Sequence, residues 1–230
     1  MNSAFSYRID PYGEHGWIAQ LEAAKDPVAT ALFVNKVADA LRKQSGICDS
    51  VAGVDSVVIK IDPQEISLES SRDIFEDALT HAPQTTQKAR KRIDMPVCYG
   101  GAFGPDLAAL AQIKKLTPQE LIDAHAGGVY RVLAVGFAPG FAYLGPLDER
   151  LAAPRLDTPR EHVPAGSVGV AGALTGVYPI GSPGGWRIIG RTPTILFDPD
   201  SPDPFTCRPG DEVRFFPVDE TVFQKIENHR

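Results

Sequence analysis

Glycine and proline are distributed so unevenly along this chain of 230 residues that they divide it into two parts with different folding possibilities. Residues 1–84 contain four glycines and four prolines, whereas residues 136–217 contain twelve glycines and thirteen prolines. Glycine gives access to positive φ angles, and proline fixes φ and lacks a backbone donor, so a segment rich in both cannot form long helices. It suits short strands joined by specific turns. We therefore expect an α/β first part and a mostly β second part.

The first part, residues 1–84, carries the patterns of two helices and two strands. Asp26 and Pro27 precede an apolar stripe that runs to Lys43, which predicts a helix with an aspartate N-cap and a first-turn proline. The remaining elements, read from periodicity and β-branched residues, are strands over 17–21 and 54–61 and a helix over 70–81. Together they predict a small antiparallel or mixed sheet with helices on one face.

A polar segment at residues 85–92 separates the two parts. It carries four basic side chains, at Lys88, Arg90, Lys91 and Arg92. We interpret it as a solvated linker, and the alternative is a docking surface for an acidic partner.

The second part, residues 93–225, reads as a β domain with two short helices near its start. Thr117 and Glu120 flank Pro118 in the spacing of a capping box, which predicts the second of these helices. The other elements are a helix over 106–114, an apolar strand over 129–135, and short strands near 96–99, 168–171, 177–180, 186–189, 194–197 and 212–216. Many short strands at this spacing predict a barrel or a sandwich.

Composition narrows the function classes. Lys and Arg total 23 against 29 Asp and Glu, so the net charge of −6 has the wrong sign for a general nucleic-acid binder. No apolar run approaches the roughly 18 residues of a membrane helix, and the first residues lack a secretory signal pattern. Three widely spaced cysteines exclude a disulfide framework and a CxxC metal site, and the five histidines lack ligand spacing. We expect a cytoplasmic protein without a metal site that binds neither nucleic acid nor membrane.

The first of three motif-dense stretches, residues 136–145, directly follows the apolar strand. A loop with proline beside glycine and flanking aromatic rings can bring backbone N–H groups close to a ligand while the rings exclude water. Gly140, Phe141 and Tyr143 are therefore candidate substrate-binding residues. The alternative is an aromatic-packed turn that closes one end of a barrel.

The second stretch, residues 154–169, contains Arg155, Arg160 and His162. A guanidinium fork matches a carboxylate or phosphate bidentately, so two arginines close to prolines on an irregular segment can clamp such an anion. Pairing with Asp148, Glu149 or Glu161 is an equal alternative.

The third stretch runs from Tyr178 to Trp186. Ser182 can donate to a substrate oxygen, and Gly184 and Gly185 let the backbone approach a ligand closely. Trp186 can form an apolar wall. Ser182 has no adjacent base in the sequence that would make it a nucleophile. The alternative is a bulged strand start with a core tryptophan.

Several catalytic signatures are missing from the sequence. It contains no GxxxxGK[ST] phosphate loop, no GxGxxG after a strand, no HExxH and no GxSxG. The Met-Lys-Met tripeptide of a biotinylated lysine is also absent, so we expect no biotin on this chain.

Read together, the three stretches resemble the family that includes the 5-oxoprolinase subunit PxpB, the kinase inhibitor KipI and proteins labelled allophanate hydrolase subunit 1. The resemblance is carried by GFAPGFAYLGPLD, PREHVPAGSVGVAG, TGVYPIGSPGGWRIIGRTP and the closing PGDEVRFFPV, with PVCYGGAFGPDL upstream. It covers essentially the whole chain and is strongest over residues 93–217.

The resemblance implies an α+β fold, with a small α/β N-terminal domain followed by a cyclophilin-like β-barrel. It implies a subunit of an enzyme that opens 5-oxo-L-proline to L-glutamate with PxpC-type and PxpA-type partners. ATP, with or without Mg²⁺, would bind on this chain or on a partner. The alternatives are a KipI-like inhibitor of a sensor histidine kinase, and the carboxyltransferase component of a urea carboxylase-like system with its biotin carrier on another chain.

The motifs and the resemblance together give a hypothesis for the site. Arg155, Arg160 and Arg191 are expected to face one cleft and to bind an anionic substrate or a phosphate-bearing intermediate, because such oxygens need guanidinium groups and oriented N–H donors. Catalytic roles are predicted for Arg160, Arg191 and Ser182. The predicted substrate-binding residues are Gly140, Phe141, Tyr143, Arg155, His162, Tyr178, Gly184, Gly185 and Trp186.

Overall fold

The computed structural model describes residues 5–22, 26–82 and 91–229. The chain divides into two compact units, residues 1–88 and residues 89–230. Most of the predicted linker, residues 85–90, lies outside the described residues, and Arg92 begins a strand of the second unit. No helix within the described ranges is long and apolar enough to cross a membrane.

The first unit is a four-stranded antiparallel sheet with two helices. Its elements in chain order are β1 (Tyr7–Pro11), β2 (Gly16–Leu21), α1 (Pro27–Leu41), β3 (Ile47–Ala52), β4 (Ser56–Ile61) and α2 (Leu68–His81). The strand order is β1-β2-β4-β3. Alternate residues of β2 and β4 are buried and form one core with side chains of both helices, so both helices cover the same face of the sheet.

Local capping fixes where α1 begins. The Asp26 carboxylate accepts the backbone N–H groups of Val28 and Ala29 at 2.9 and 3.1 Å, and Pro27 occupies the first turn. These bonds satisfy donors that have no partner inside the helix, as the sequence predicted.

The second unit contains a closed barrel of seven strands. Its elements in chain order are β5 (Arg92–Tyr99), α3 (Leu107–Lys114), α4 (Pro118–Ala126), β6 (Tyr130–Val135), β7 (Ala142–Gly145), a 3₁₀ turn (Glu149–Leu151), β8 (Arg160–Val163), β9 (Ser167–Ala171), β10 (Leu174–Val177), β11 (Ser182–Gly184), β12 (Arg187–Arg191), β13 (Glu212–Pro217) and α5 (Glu220–Glu227). The barrel order is β10-β7-β6-β13-β5-β12-β9, with β5 and β13 parallel and the other neighbours antiparallel. Strands β8 and β11 form a separate antiparallel pair. The predicted α+β fold with a barrel is confirmed.

A series of hydrogen-bonded polar side chains lies within the apolar core of the barrel. The imidazole of His125, fully buried on α4, lies 2.7 Å from the Tyr99 hydroxyl through Nδ1 and 2.9 Å from the Thr175 hydroxyl through Nε2. Thr175 donates its own proton to the Gly169 carbonyl at 3.0 Å. Thr175 therefore accepts from Nε2–H, and Nδ1 accepts from Tyr99. Burial lowers the pKa of His125 to about 3, so this histidine is a neutral structural group.

Two strand predictions differ from the structure. Residues 194–197 form no regular strand, because the prolines around them remove donors and the Thr192 hydroxyl takes the N–H of Thr194 in a turn. Only an isolated bridge joins Phe197 to Phe205. The strand expected at 177–180 lies earlier, as β10, since Pro179 cannot donate to a ladder.

Candidate functional site

A cavity of about 220 Å³ lies in the second unit, beside a small aromatic core separate from the core of the barrel. All three motif-dense stretches contribute to it. We call it the aromatic cleft, and its lining residues are Phe137, Phe141, Tyr143, Arg155, Pro159, Tyr178, Pro183, Gly184, Gly185 and Trp186.

The wall of the cleft is a set of aromatic rings packed edge to face. The ring of Phe141, buried directly before β7, lies 5.2 Å from Tyr178 and 5.4 Å from Trp186, with interplanar angles of 87° and 82°. Tyr143 adds a third contact at 4.8 Å. A Cβ at Gly176 of β10 would lie 3.1 Å from Trp186 and 3.2 Å from Phe141, so the missing side chain makes room for both rings. Such packing holds the wall rigid.

Phe137 stands at the edge of the cleft in a strained conformation. Its φ angle is 71°, and 65% of its surface is exposed. A large side chain at positive φ is rare, and such strain persists where the surroundings enforce it, often at binding sites. The ring contacts Phe141 and Tyr178 at 5.5 and 6.4 Å, so the strain places an aromatic edge over the cleft.

Two tyrosine side chains bring polar groups to this aromatic surface. Burial raises the pKa of Tyr178, although a hydrogen bond from the Trp186 backbone and the charge of Arg155 lower it. Burial also raises the pKa of Tyr143, against the opposing charge of Arg155. Both phenols therefore keep their protons at neutral pH and can donate as well as accept. A Cβ at Gly184 would clash with the Tyr178 hydroxyl, so the glycine is required for this approach.

Among the described residues that line the aromatic cleft, Arg155 alone is charged. The backbone N–H of the next residue, Leu156, donates to the Gly185 carbonyl at 2.7 Å, which fixes this segment against the Gly184–Gly185 turn. Arg155 makes no hydrogen bond or ion pair to any residue within the described ranges. Asp148, a nearby acidic candidate, pairs with Arg150 at 2.6 Å instead. An exposed guanidinium without a protein anion beside two phenols is suited to binding an external anion.

Most of the predicted substrate-binding residues meet in the cleft. Those that line it are Phe141, Tyr143, Arg155, Tyr178, Gly184, Gly185 and Trp186. Gly140 does not; its φ is 83°, and a Cβ there would lie 2.8 Å from Phe197. His162 is exposed, and its ring packs over Gly181 outside the lining.

Arg160 does not line the cleft, in contrast to the expectation of a shared arginine cluster. Its guanidinium lies 2.6 Å from the Asp106 carboxylate and 3.5 Å from the Trp186 carbonyl. Asp106 lies 54 residues before Arg160 in the sequence. It was therefore not among the acidic residues near Arg160 that were considered as partners.

Arg191 is farther still from the cleft. It ends β12, five residues after Trp186, which corresponds to roughly 16 Å along an extended strand. Its guanidinium lies 3.3 Å from the Glu227 carboxylate and 5.6 Å from the centre of the Phe223 ring, both on α5. The expectation that three arginines face one cleft is therefore wrong for Arg160 and Arg191, because each is held by a carboxylate elsewhere in the unit.

Ser182 lies on β11 beside the lining residue Pro183. Its hydroxyl oxygen is buried and has no hydrogen-bond partner in the part of the chain that the structure describes. Within the same ranges, no group of three or more His, Cys, Asp or Glu side chains is arranged to hold a metal ion.

Sequence reasoning did not single out Phe137, Pro159, Pro183 or Asp106. The two prolines and Phe137 lie within the quoted motifs, but their facing direction depends on turn geometry. Asp106 accepts both Arg160 and the backbone N–H of Ile188, which joins distant segments. A sequence pattern carries no signal for such long-range pairs.

Comparison with known proteins gives a family and several relatives. A family described as carboxyltransferase domain, subdomain C and D, matches residues 7–207. The chain is 49% identical over 160 residues to a 5-oxoprolinase subunit of Bacillus subtilis, which covers 69% of the chain and 67% of that protein. It is 38% identical over 214 residues to the corresponding 5-oxoprolinase subunit of Escherichia coli O157:H7, which covers 91% and 95%.

Solved structures share the fold. The urea amidolyase of K. lactis matches with a TM-score of 0.84 over 99% of the chain at 19% identity, a likeness that shows the fold alone. The chain spans 16% of the length of that protein, and 39% of the length of the solved protein TTHA0988, which it matches with a TM-score of 0.75 at 32% identity.

Proposed function

The chain belongs to the carboxyltransferase domain family of subdomains C and D, and from this we propose that it is one subunit of an ATP-dependent 5-oxoprolinase complex. The observation that carries the proposal is the 38% identity to the 5-oxoprolinase subunit of Escherichia coli O157:H7 over nearly the full length of both proteins. The reaction would convert 5-oxo-L-proline to L-glutamate. We propose PxpC-type and PxpA-type subunits as partners, and the cytoplasm, where ATP is available, as the location.

The proposed reaction needs both an activating group and a held substrate. A five-membered lactam carbonyl is a poor electrophile, so ring opening by water requires prior activation, which ATP supplies in the complex. This chain would contribute a rigid apolar site with one cation and two neutral phenols. Such a site excludes water and fixes the orientation of a small ring.

The catalytic roles predicted for Arg160, Arg191 and Ser182 remain proposals, and the three residues differ in how near their contacts lie to the cleft. Arg160 contacts the backbone carbonyl of the lining residue Trp186, and Ser182 is next to the lining residue Pro183 in the sequence. Arg191 is engaged with α5. We therefore expect Arg160 and Ser182 to matter for turnover more than Arg191.

Reconstitution tests the proposed function. The chain is purified alone and together with its companion subunits, and ATP hydrolysis is measured with and without 5-oxo-L-proline. We expect hydrolysis that depends on 5-oxo-L-proline, produces glutamate, and disappears when this chain is omitted. The proposal would be contradicted by an equal rate of ATP hydrolysis with and without 5-oxo-L-proline, or by full activity of the companion subunits without this chain.

A further inference from the structure

The size of the aromatic cleft limits what it can bind. Pockets that bury drug-sized ligands have volumes of about 300–1,000 Å³. At about 220 Å³, the cleft is smaller than that range. A nucleoside triphosphate, with a base, a sugar and three phosphates, is much larger than a single five-membered ring with one carboxylate, so a cleft this small favours the ring.

The charge of the cleft also favours a ligand with one carboxylate over a triphosphate. A triphosphate carries several negative charges and is normally held by more than one cation or by a cradle of backbone donors. Among the described lining residues, Arg155 is the one cation, and Arg160 and Arg191 are paired with Asp106 and Glu227. One guanidinium fork without a protein partner fits one carboxylate bidentately.

The walls suit the remainder of such a ligand. The exposed ring of Phe137 and the half-buried ring of Tyr143 present apolar surface to the methylene groups of a small ring. The buried ring of Phe141 packs against both of them. The half-buried Tyr143 lies near Arg155, whose charge acts on its phenol, and its hydroxyl can bond to a lactam C=O or N–H. Tyr178 is buried behind it and completes the wall.

We propose that the aromatic cleft binds the cyclic amino-acid lactam through its carboxylate on Arg155, and that ATP binds elsewhere in the complex. This inference rests on the proposed function for the identity of the ligand. It assigns the substrate to this chain and excludes the nucleotide from its cleft, which the family resemblance left open.

A ligand pair isolates the role of the carboxylate. Binding of 5-oxo-L-proline and of 2-pyrrolidinone, which has the same ring without the carboxylate, is measured by calorimetry on the full chain. Arg155→Gln should weaken binding of 5-oxo-L-proline by about tenfold or more, as expected for losing a charge-assisted hydrogen bond, and leave 2-pyrrolidinone unaffected. The matched control is Arg150→Gln, because Arg150 is an exposed arginine of the same unit that pairs with Asp148 outside the cleft.

The reconstituted complex supplies the second measurement. In Arg155→Gln, the KM for 5-oxo-L-proline should rise by about tenfold while the KM for ATP stays the same. An unchanged KM for 5-oxo-L-proline, a raised KM for ATP, or competition between ATP and 5-oxo-L-proline on this chain would overturn the inference. If the isolated chain binds neither ligand, the KM pair decides alone.

The two proposals fail in different ways. A complex that hydrolyses ATP in response to 5-oxo-L-proline, with equal KM values in wild type and Arg155→Gln, sinks the inference and leaves the function standing. A complex without that activity sinks the function. In that case, binding of 5-oxo-L-proline that depends on Arg155 would still support the cleft as a site for a lactam acid. If the chain does not bind 5-oxo-L-proline either, the inference about the cleft also fails.

Discussion

The Asp106 carboxylate lies 2.6 Å from the Arg160 guanidinium, and its second oxygen accepts the backbone N–H of Ile188 at 2.6 Å. Arg160 also faces the Trp186 carbonyl at 3.5 Å. The pair therefore connects the start of α3 and the start of β8 to β12. This strand directly follows Trp186, which forms part of the wall of the aromatic cleft. Arg160 is best described as a positioning residue, because its contacts hold the wall and do not line the cavity.

Breaking this pair should cost stability and disturb the cleft. The Asp106 side chain is 13% exposed, so its removal leaves a partly buried guanidinium without its partner. We expect Asp106→Asn to lower the free energy of unfolding by roughly 1–3 kcal/mol, measured by urea denaturation. The control is Asp94→Asn, which breaks the exposed Arg92–Asp94 pair and should cost no more than about 1 kcal/mol.

A double-mutant cycle checks that the two side chains act together. Adding Arg160→Gln to Asp106→Asn should cost much less than Arg160→Gln alone, since each single change already breaks the ion pair. Strict additivity of the two losses would show that the pair is not coupled. If Arg160→Gln abolishes turnover while Asp106→Asn leaves it intact, Arg160 acts directly in catalysis.

The Gly184 position should tolerate no side chain. A Cβ there would clash with the Tyr178 hydroxyl, so Gly184→Ala should destabilise the unit by roughly 1–3 kcal/mol and weaken ligand binding. Tyr178→Phe removes the clashing oxygen and should restore part of the loss. Thermal unfolding and calorimetry measure both effects.

Gly136, which directly precedes the lining residue Phe137, is the matched glycine. A Cβ at Gly136 would meet no atom within 4 Å, and Gly136→Ala should change stability by no more than about 0.5 kcal/mol. Equal losses at both glycines would mean that local flexibility, rather than the contact with Tyr178, explains the effect.

Arg191 should stabilise α5. Its contacts with Glu227 and the Phe223 ring predict that Arg191→Ala loosens the helix, with faster amide hydrogen exchange over residues 220–227. Arg208→Ala, which breaks an exposed pair with Asp203, serves as the control. Unchanged exchange in α5 together with lost turnover would instead restore the catalytic role expected from the sequence.

His125 should make stability depend on pH in one direction. Its pKa is about 3 in the folded protein and about 6.5 in the unfolded chain. Between these two pH values, His125 is therefore protonated in the unfolded chain and neutral in the folded protein. Stability from this group is complete above pH 6.5 and is lost progressively as the pH falls towards 3.

A non-titrating variant isolates this effect. Between pH 7 and pH 5, the unfolding free energy of the wild type should fall by about 2 kcal/mol more than that of His125→Gln, measured by urea denaturation at each pH. Parallel pH profiles for the two proteins would show that His125 is protonated in the folded state or that its pKa is not lowered.

Signals within a few residues predicted local structure well. The Asp26 cap and the Thr117–Glu120 capping box are both present, with Glu120 accepting the Thr117 backbone N–H at 2.7 Å. Such motifs are readable because donor and acceptor lie within one turn of each other. Strands of three or four residues, such as β7, β8 and β11, were not predicted, because so short a segment shows no periodicity.

The sequence by itself determined that the second part would be short strands and turns, because its glycines and prolines forbid long helices. Its motifs also named Arg155, Tyr178 and Trp186 as candidates. Only the tertiary structure decided which of the three predicted arginines is left without an anion. Asp106 pairs with Arg160 across 54 residues and Glu227 with Arg191 across 36, so of these three Arg155 is the one without a carboxylate partner in the described part of the chain. Pairing over such separations depends on how the barrel closes, and the local pattern of residues does not encode it.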